Sequence, residues 1–140
     1  MNKNIQLQDF SAFFEPKTVA VVGASARNPH ALPNTFIRRI RDFGFAGEIY
    51  PINPTASEVE GYKCYPSLAE TPQPVDYAYI GVSSGQIPAM LEAAKGRTKF
   101  AHVVSSGFGE VDEGKALQAQ LVAAARAGGM RLVGPNCMGL

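Results

Sequence analysis

Cysteine, tryptophan and an excess of either charge are all scarce in this 140-residue chain. It has two cysteines, no tryptophan, and 13 basic against 12 acidic residues, which gives a formal net charge of +1. Two cysteines are too few for a disulfide scaffold or a zinc site, so we expect a reducing compartment and no metal. The balanced charge argues against a surface for nucleic acids, so we expect no nucleic-acid partner.

Long apolar runs are missing as well. No stretch approaches the roughly 18 apolar residues of a membrane-spanning helix, and residues 1–10 lack the apolar core of a signal peptide. We therefore expect a cytoplasmic protein with no membrane partner. With 46% hydrophobic residues, 140 residues suffice for one domain with a core of its own. The number of chains that assemble stays open, a homo-oligomer included.

The stretch that organises the chain is Lys17–Ser25, KTVAVVGAS. Its run of small and β-branched apolar residues predicts a strand that is buried on both faces, as in a parallel sheet. Gly23 ends the strand, and the small residues after it lead towards a helix. Such a turn leaves backbone N–H groups and the helix dipole facing a phosphate. The alternative is that Gly23 only permits a tight turn.

Strands and helices alternate along the rest of the sequence. We predict helices over Gln8–Phe14 (within a lead-in of residues 1–14), from Thr35 to Phe43, and over Ser67–Glu70, Gln86–Ala94 and Glu113–Ala127. We predict strands over Val19–Val22, Glu48–Ile52, Val75–Val82, Ala101–Val104 and Arg131–Val133. Lys95–Lys99 should be a loop, and Val59–Cys64 a turn. Five strands joined by helical crossovers predict an α/β, Rossmann-like, doubly wound parallel sheet with helices on both faces.

In such a sheet the ligand lies beyond the carboxyl ends of the strands. The segments that follow the five predicted strands begin at Gly23, Asn53, Ser83, Ser105 and Pro135. They offer short polar side chains and close backbone approach, which suit phosphates and amides better than acid–base catalysis. The second strand ends in Asn53-Pro54 without the carboxylate that holds the ribose of NAD, so NAD is the minority interpretation.

Several motifs occur in the order found in one family: KTVAVVGAS, GEIYPINP, EGYKCYPSL, VDYAYIGV and RLVGPNCMGL. From Phe13 to Leu140 the chain resembles the N-terminal CoA-binding domain of nucleoside-diphosphate-forming acyl-CoA synthetases, relatives of the succinyl-CoA ligase alpha subunit. The resemblance implies one CoA-binding domain over residues 1–140, with coenzyme A as the ligand. It also implies ligase and ATP-grasp domains as partners, in the same or another chain.

The resemblance also implies which residues hold coenzyme A. The first loop and the second-strand tip would hold its nucleotide, and the next two strand ends would be crossed by its pantetheine arm. These residues are Gly23, Ala24, Ser25, Ala26, Arg27, Asn53, Pro54, Val82, Ser83, Ser105, Ser106 and Gly107. Asn136, after the last strand, is predicted from its position to contact the reactive end of the ligand, and it is equally well explained as a turn cap. Cys137 is better explained as a small buried residue than as a reactive thiol.

Departures from the family pattern bear on the phosphates and on catalysis. Pro33 removes one N–H donor before the helix, and Thr55 stands where relatives often have a lysine, so phosphate charge falls to Arg27 or to Lys63, with Arg27 favoured. His30 and His102 do not match the family's phosphorylated histidine. We therefore expect no catalytic residue here and no activity of this chain alone.

Three functions remain open. The first is the CoA-binding part of a synthetase that converts acid, CoA and ATP or GTP to acyl-CoA, nucleoside diphosphate and phosphate, with this chain cut from a longer one. The second is a stand-alone CoA- or nucleotide-binding protein. The third is the synthetase-like half of a protein acetyltransferase.

Overall fold

Residues 8–138 are described by the computed structural model, so residues 1–7 of the predicted lead-in lie outside it. The strands are β1 (Thr18–Val22), β2 (Glu48–Ile52), β3 (Glu58–Val59), β4 (Tyr62–Lys63), β5 (Val75–Ile80), β6 (Thr98–Val103) and β7 (Arg131–Val133). The helices are α1 (Ser11–Phe14), α2 (Leu32–Asp42), α3 (Ile87–Ala93) and α4 (Lys115–Ala127). Short 3-10 turns cover Leu68–Glu70, Ser84–Gln86 and Asp112–Gly114.

The main sheet has five parallel strands in the order β2-β1-β5-β6-β7, and this confirms the predicted fold class. The chain moves outwards from β1 to β2 on one side and from β1 to β7 on the other. The direction therefore reverses between β1 and β5, whose carboxyl ends part at that point. In the described part of the chain no helix is long and apolar enough to cross a membrane.

Both faces of the sheet carry helices, as predicted. Ala20 and Val22 of β1 belong to the core on one face, together with side chains of α3 and α4. Val19 and Val21 belong to the core on the other face, with Ile37 of α2. Alternate residues of one strand thus enter two cores, which is why residues 19–22 of β1 are all apolar.

Several predicted boundaries are wrong by a few residues. The predicted loop Lys95–Lys99 includes the start of β6, because Thr98 pairs with Val75 of β5. Helix α2 begins at Leu32 rather than Thr35, with Pro33 in its first turn, where proline is tolerated. The predicted helix includes Phe43, but Phe43 follows α2 and is 89% exposed.

Five further predictions need similar corrections. Strand β5 ends at Ile80 rather than Val82, and β6 ends at Val103 rather than Val104. Helix α1 covers only the second half of Gln8–Phe14, and α4 begins after a 3-10 turn. The predicted turn Val59–Cys64 is a small antiparallel hairpin of β3 and β4.

Candidate functional site

A cavity of about 370 Å³ opens where the strand order reverses. It lies at the carboxyl ends of β1, β2 and β5. Six of the predicted site residues line it, namely Gly23, Ala24, Ser25, Asn53, Pro54 and Val82. The other predicted residues (Ala26, Arg27, Ser83, Ser105, Ser106, Gly107 and Asn136) are not among its lining residues. The structure therefore brings the first loop and the β2 tip together around one hollow.

Gly23 permits β1 and β5 to end side by side. Its φ is +96°, and a Cβ added there would lie 2.4 Å from the carbonyl oxygen of Gly81. Any larger residue would push the first loop away from the segment that follows β5. The glycine is thus required by its conformation and by the narrow gap, which is what the alternative interpretation of a tight turn proposed.

The first loop is fastened by the side chain of Asn34, in the first turn of α2. The Asn34 Oδ1 accepts a hydrogen bond from the Ser25 N–H at 2.8 Å, and its Nδ2 donates to the Ser25 carbonyl at 2.9 Å. The Asn34 side chain is buried, with 1% of the residue exposed. This pair of bonds holds Ser25 in the way that a strand neighbour would.

The hairpin of β3 and β4 supports the same contact. Glu60, between the two strands, accepts hydrogen bonds from Asn34 Nδ2 at 3.0 Å and from Arg38 Nη1 at 2.6 Å. Arg38 also donates to the carbonyl of Pro29 at 2.8 Å. The Glu60 carboxylate is therefore used for structure.

The predicted free N–H groups of the first loop are largely taken, which corrects that expectation. The N–H of Ser25 bonds to Asn34, and those of Arg27 and Asn28 bond to the Ser25 hydroxyl oxygen at 3.1 and 3.0 Å. A serine hydroxyl that accepts from the next residues forms such a local turn commonly. The loop is preorganised by its own side chains rather than presented as a row of unused donors.

Asn53 at the β2 tip also has structural bonds. Its Nδ2 donates to the Ala24 carbonyl at 2.9 Å, and its Oδ1 accepts from the N–H groups of Thr55 and Ala56, each at 2.9 Å. These bonds tie the β2 tip to the first loop. Asn53 therefore shapes the cavity wall, and the ribose-binding carboxylate of an NAD site is replaced here by an amide that bonds within the protein.

The carboxyl ends of the five strands and the segments that follow them, beginning at Gly23, Asn53, Gly81, Val104 and Gly134, form a rim. In the half of this rim that lies farther from the cavity, hydrogen bonds link successive loops. The Ser105 hydroxyl donates to the Val82 carbonyl at 2.5 Å, and the Asn136 N–H donates to the Ser105 carbonyl at 3.0 Å. The N–H of Gly107 donates to the carboxylate of Glu110, as does the N–H of Phe108 at 3.0 Å. The backbone N–H of Glu110 itself, and then those of Gly107 and Phe108, lower the pKa of the Glu110 carboxyl below its ordinary value.

Positive charge lies near the rim at Arg27 and Lys63. Both side chains are exposed. Arg27 is in the first loop and takes part in none of the ion pairs seen over residues 8–138. Lys63 Nζ lies 5.5 Å from the centre of the Tyr65 ring. Either cation can approach an anion at the rim without losing a buried partner.

Six lining residues are not among the predicted site residues: Val22, Ile52, Pro66, Ser67, Gln86 and Met90. Pro66 and Ser67 reach the cavity because Tyr65 forms a parallel bridge with Ile52 and exchanges backbone bonds with Pro51 and Asn53. The sequence signal was present in EGYKCYPSL, but no periodicity showed that this segment returns to the β2 tip.

Within residues 8–138 no three His, Cys, Asp or Glu side chains lie together in a metal-binding cluster. His30 is exposed in the first loop, and His102 is buried in β6. Burial raises the pKa of the Cys64 thiol above its ordinary value, which keeps it protonated and unreactive.

Comparison with known proteins identifies the domain. The sequence profile of a family described as a CoA binding domain matches residues 17–140. The alpha subunit of acetate–CoA ligase [ADP-forming] I from Pyrococcus furiosus is 42% identical over 136 residues, which cover 92% of this chain and 29% of that protein.

Two solved structures share the fold. Dinucleotide-forming acetyl-coenzyme A synthetase 1 of Ca. Korarchaeum cryptofilum, in complex with phosphate and ADP, matches with a TM-score of 0.88 and 41% identity, over 95% of this chain and 28% of that one. A hypothetical protein from Pyrococcus horikoshii matches with a TM-score of 0.67 and 25% identity, over 87% of this chain and 78% of that one. The chain spans less than a third of the ligase subunit and of the synthetase.

Proposed function

Because this chain belongs to the CoA-binding domain family, we propose that the rim at the carboxyl ends of β1, β2 and β5 binds coenzyme A. The cavity of about 370 Å³ at the reversal of strand order is the observation that supports this most directly. Pockets at this point of an open α/β sheet are the usual place for a nucleotide.

The nucleotide end of coenzyme A is proposed to enter the cavity. Apolar groups of Ile52, Val82 and Met90 line it and suit one face of an adenine ring. Arg27, and as second candidate Lys63, would pair with the phosphates at its mouth. The pantetheine arm would then run along Ser83 and Ser105–Gly107 towards Asn136, because the tips of β6 and β7 lie successively farther from the cavity.

Thermal unfolding of the 140-residue chain tests this proposal. We expect coenzyme A to raise the midpoint, since a ligand at 100-fold its dissociation constant adds ~2.7 kcal/mol to the stability of the folded state. NAD should leave the midpoint unchanged, because the β2 tip has an amide in place of the ribose-binding carboxylate. No shift with coenzyme A at millimolar concentration would exclude the proposal.

Arg27→Ala refines the same test. Loss of one charged hydrogen bond to a phosphate should weaken coenzyme A binding roughly tenfold in calorimetric titration. The matched control is Arg39→Ala, which removes an exposed arginine of α2 instead of one in the first loop. This variant should bind as the unaltered chain does. Equal affinities for both variants would show that Arg27 does not contact the phosphates.

We also propose that the domain serves an ADP-forming acyl-CoA synthetase, and we assign it no catalytic residue. The support is the identity of 42% and 41% with proteins named as acetate–CoA ligase and acetyl-coenzyme A synthetase. In that role this chain would hold coenzyme A, while phosphoryl and acyl transfer would require further domains of the same chain or of a partner.

A stand-alone binding protein is the second candidate. It is favoured by the Pyrococcus horikoshii protein, most of whose chain is covered by this fold alone. The reading frame in the gene separates the two functions. Continuation into a histidine-bearing segment and an ATP-grasp segment would support the synthetase, and a stop codon after Leu140 would support the stand-alone protein.

A further inference from the structure

His102 is a buried polar side chain that the proposed function leaves without a role. It lies in β6 on the sheet face that α2 also covers, and 3% of the residue is exposed. Its ring is flanked by Tyr77 and Tyr79 of β5, with ring centres 5.8 and 5.5 Å away. A buried imidazole in such surroundings is costly unless both of its nitrogens find partners.

Both nitrogens do have partners, and together they define the tautomer. The carbonyl oxygen of Cys137 lies 2.7 Å from Nε2 and can only accept, so Nε2 carries the hydrogen and donates it. The Tyr77 hydroxyl bonds to Nδ1. In the neutral ring Nδ1 is an acceptor, so Tyr77 donates. Burial lowers the pKa of His102 and outweighs the opposing effect of the Cys137 carbonyl. The lowered pKa favours the neutral form of the ring.

The bond to Cys137 fastens the loop that follows β7. Within this loop, Gly134–Cys137, Asn136 has a φ of +54°, in the left-handed region. The N–H of Asn136 donates to Ser105 at 3.0 Å, and that of Cys137 donates to Val103 at a long 3.5 Å. The bond from His102 is the shortest of the three, and it comes from a side chain fixed inside the sheet.

We propose that His102 is a positioning residue of the rim, which holds the Gly134–Cys137 loop against the β6 tip in the place where the thiol end of coenzyme A arrives. Tyr77 acts through His102, because its hydroxyl keeps the Nε2–H tautomer that the loop requires. The inference rests on the proposed function for its ligand, whereas the fastening of the loop stands independently of any ligand.

Two variants separate the bond from the bulk of the ring. His102→Val keeps a strand-forming apolar residue but removes the donor. His102→Gln supplies an amide N–H at about the reach of Nε2 and should restore the bond. Phe100→Leu, on the same face of the same strand, is the control for lost packing.

Hydrogen exchange gives the first measurement and needs no ligand. We expect the amides of Asn136 and Cys137 to exchange about tenfold faster in His102→Val, as befits the loss of one hydrogen bond. They should stay near the rate of the unaltered chain in His102→Gln and in Phe100→Leu. Unchanged exchange in folded His102→Val would overturn the inference.

Ligand binding gives the second measurement. Coenzyme A is compared with adenosine 3′,5′-bisphosphate, which lacks the pantetheine arm. His102→Val should weaken coenzyme A about tenfold, leave the bisphosphate within twofold, and be rescued by His102→Gln. Equal weakening of both ligands would indicate a general structural effect and contradict a positioning role.

The outcomes distinguish this inference from the proposed function. If the unaltered chain binds neither ligand, the proposed function fails, while the exchange data still uphold or reject the fastening of the loop.

Should His102→Val fail to fold, the ¹⁵N spectrum of the imidazole decides. The Nε2–H tautomer in the unaltered chain, with a larger Nδ1–H share in Tyr77→Phe, supports the inference, and the Nδ1–H tautomer or a charged ring at pH 7.5 refutes it.

Discussion

At the scale of single residues, two amide side chains decide the shape of the first half of the rim. Asn34 bonds to both the N–H and the carbonyl of Ser25, as a neighbouring strand would. Asn53 joins the β2 tip to the carbonyl of Ala24. Both use donor and acceptor at once, which an amide allows within one short side chain. This half of the rim is therefore held in place by bonds within the protein, and the binding that we propose would require less ordering of it.

Asn34→Ala tests that role. The change leaves the backbone groups of Ser25 without their side-chain partner, and the free energy of unfolding should fall by about 2 kcal/mol, the usual cost of unpaired buried polar groups. Urea unfolding measures the loss. Asn28→Ala in the same loop removes one exposed bond to the His30 N–H and should stay within about 0.5 kcal/mol of the unaltered chain. Equal stability of the two variants would refute the role of Asn34.

The sequence predicts which residues form the first loop, but the prediction that its N–H groups are free is wrong. Gly23 and the small residues after it mark a tight turn, and this is visible in the sequence alone. That the Ser25 hydroxyl takes the N–H groups of Arg27 and Asn28 depends on rotamers and loop path, which no pattern encodes. The use of Asn34 depends on where α2 begins, and that boundary was predicted three residues too late.

At the scale of elements, the starts of three strands are joined by Asp76 of β5. Its carboxylate accepts from the Lys17 N–H, just before β1, at 2.9 Å and pairs with Lys99 Nζ of β6 at 2.7 Å. Burial raises the pKa of Asp76, but the bonds from Lys99 and Lys17 outweigh it, so the pKa lies below the ordinary value of 3.8. The charged form is thus the one that holds the strands together.

The pH dependence of stability follows from that direction. A lowered pKa means that the contribution of Asp76 is fully present above pH 3.8 and is lost as the pH falls through the lowered value. Asp76→Asn should therefore be less stable than the unaltered chain at pH 7, and the two should converge in strong acid. Unfolding free energies from urea curves at several pH values measure this. Asp42→Asn, in an exposed pair with Arg41, serves as control.

A difference between Asp76→Asn and the unaltered chain that persists undiminished into strong acid would contradict this account. It would mean that shape rather than charge makes Asp76 important.

The order of elements was predictable because alternating apolar runs and helical periodicities repeat along the chain. The boundaries of the elements were less predictable, because pairing between strands can override the local sequence pattern. Thr98 and Lys99 read as a polar loop, yet they open β6 because Val75 lies opposite Thr98 in the sheet. Phe43 has the helical spacing of a core residue, yet the chain ends α2 before it, and Phe45 packs against the sheet core instead.

At the scale of the whole molecule, the parallel order β2-β1-β5-β6-β7 gives the rim a direction. A cavity lies at one end, where the first loop meets the tips of β2 and β5, and the Gly134–Cys137 loop lies at the other. A ligand with a nucleotide head and a long arm fits such a layout. The motif RLVGPNCMGL indicated the family from sequence, but the hydrogen-bonded path from Val82 through Ser105 to Asn136 required the structure.

The most direct test of the central claim is a titration of the ¹⁵N-labelled chain with coenzyme A, followed through its amide resonances. We predict that shifts concentrate on residues 23–27, 53–54, 82–83, 105–107 and 134–137, which would place the ligand along the rim. An absence of shifts at excess ligand, or shifts confined to α4, would contradict the account.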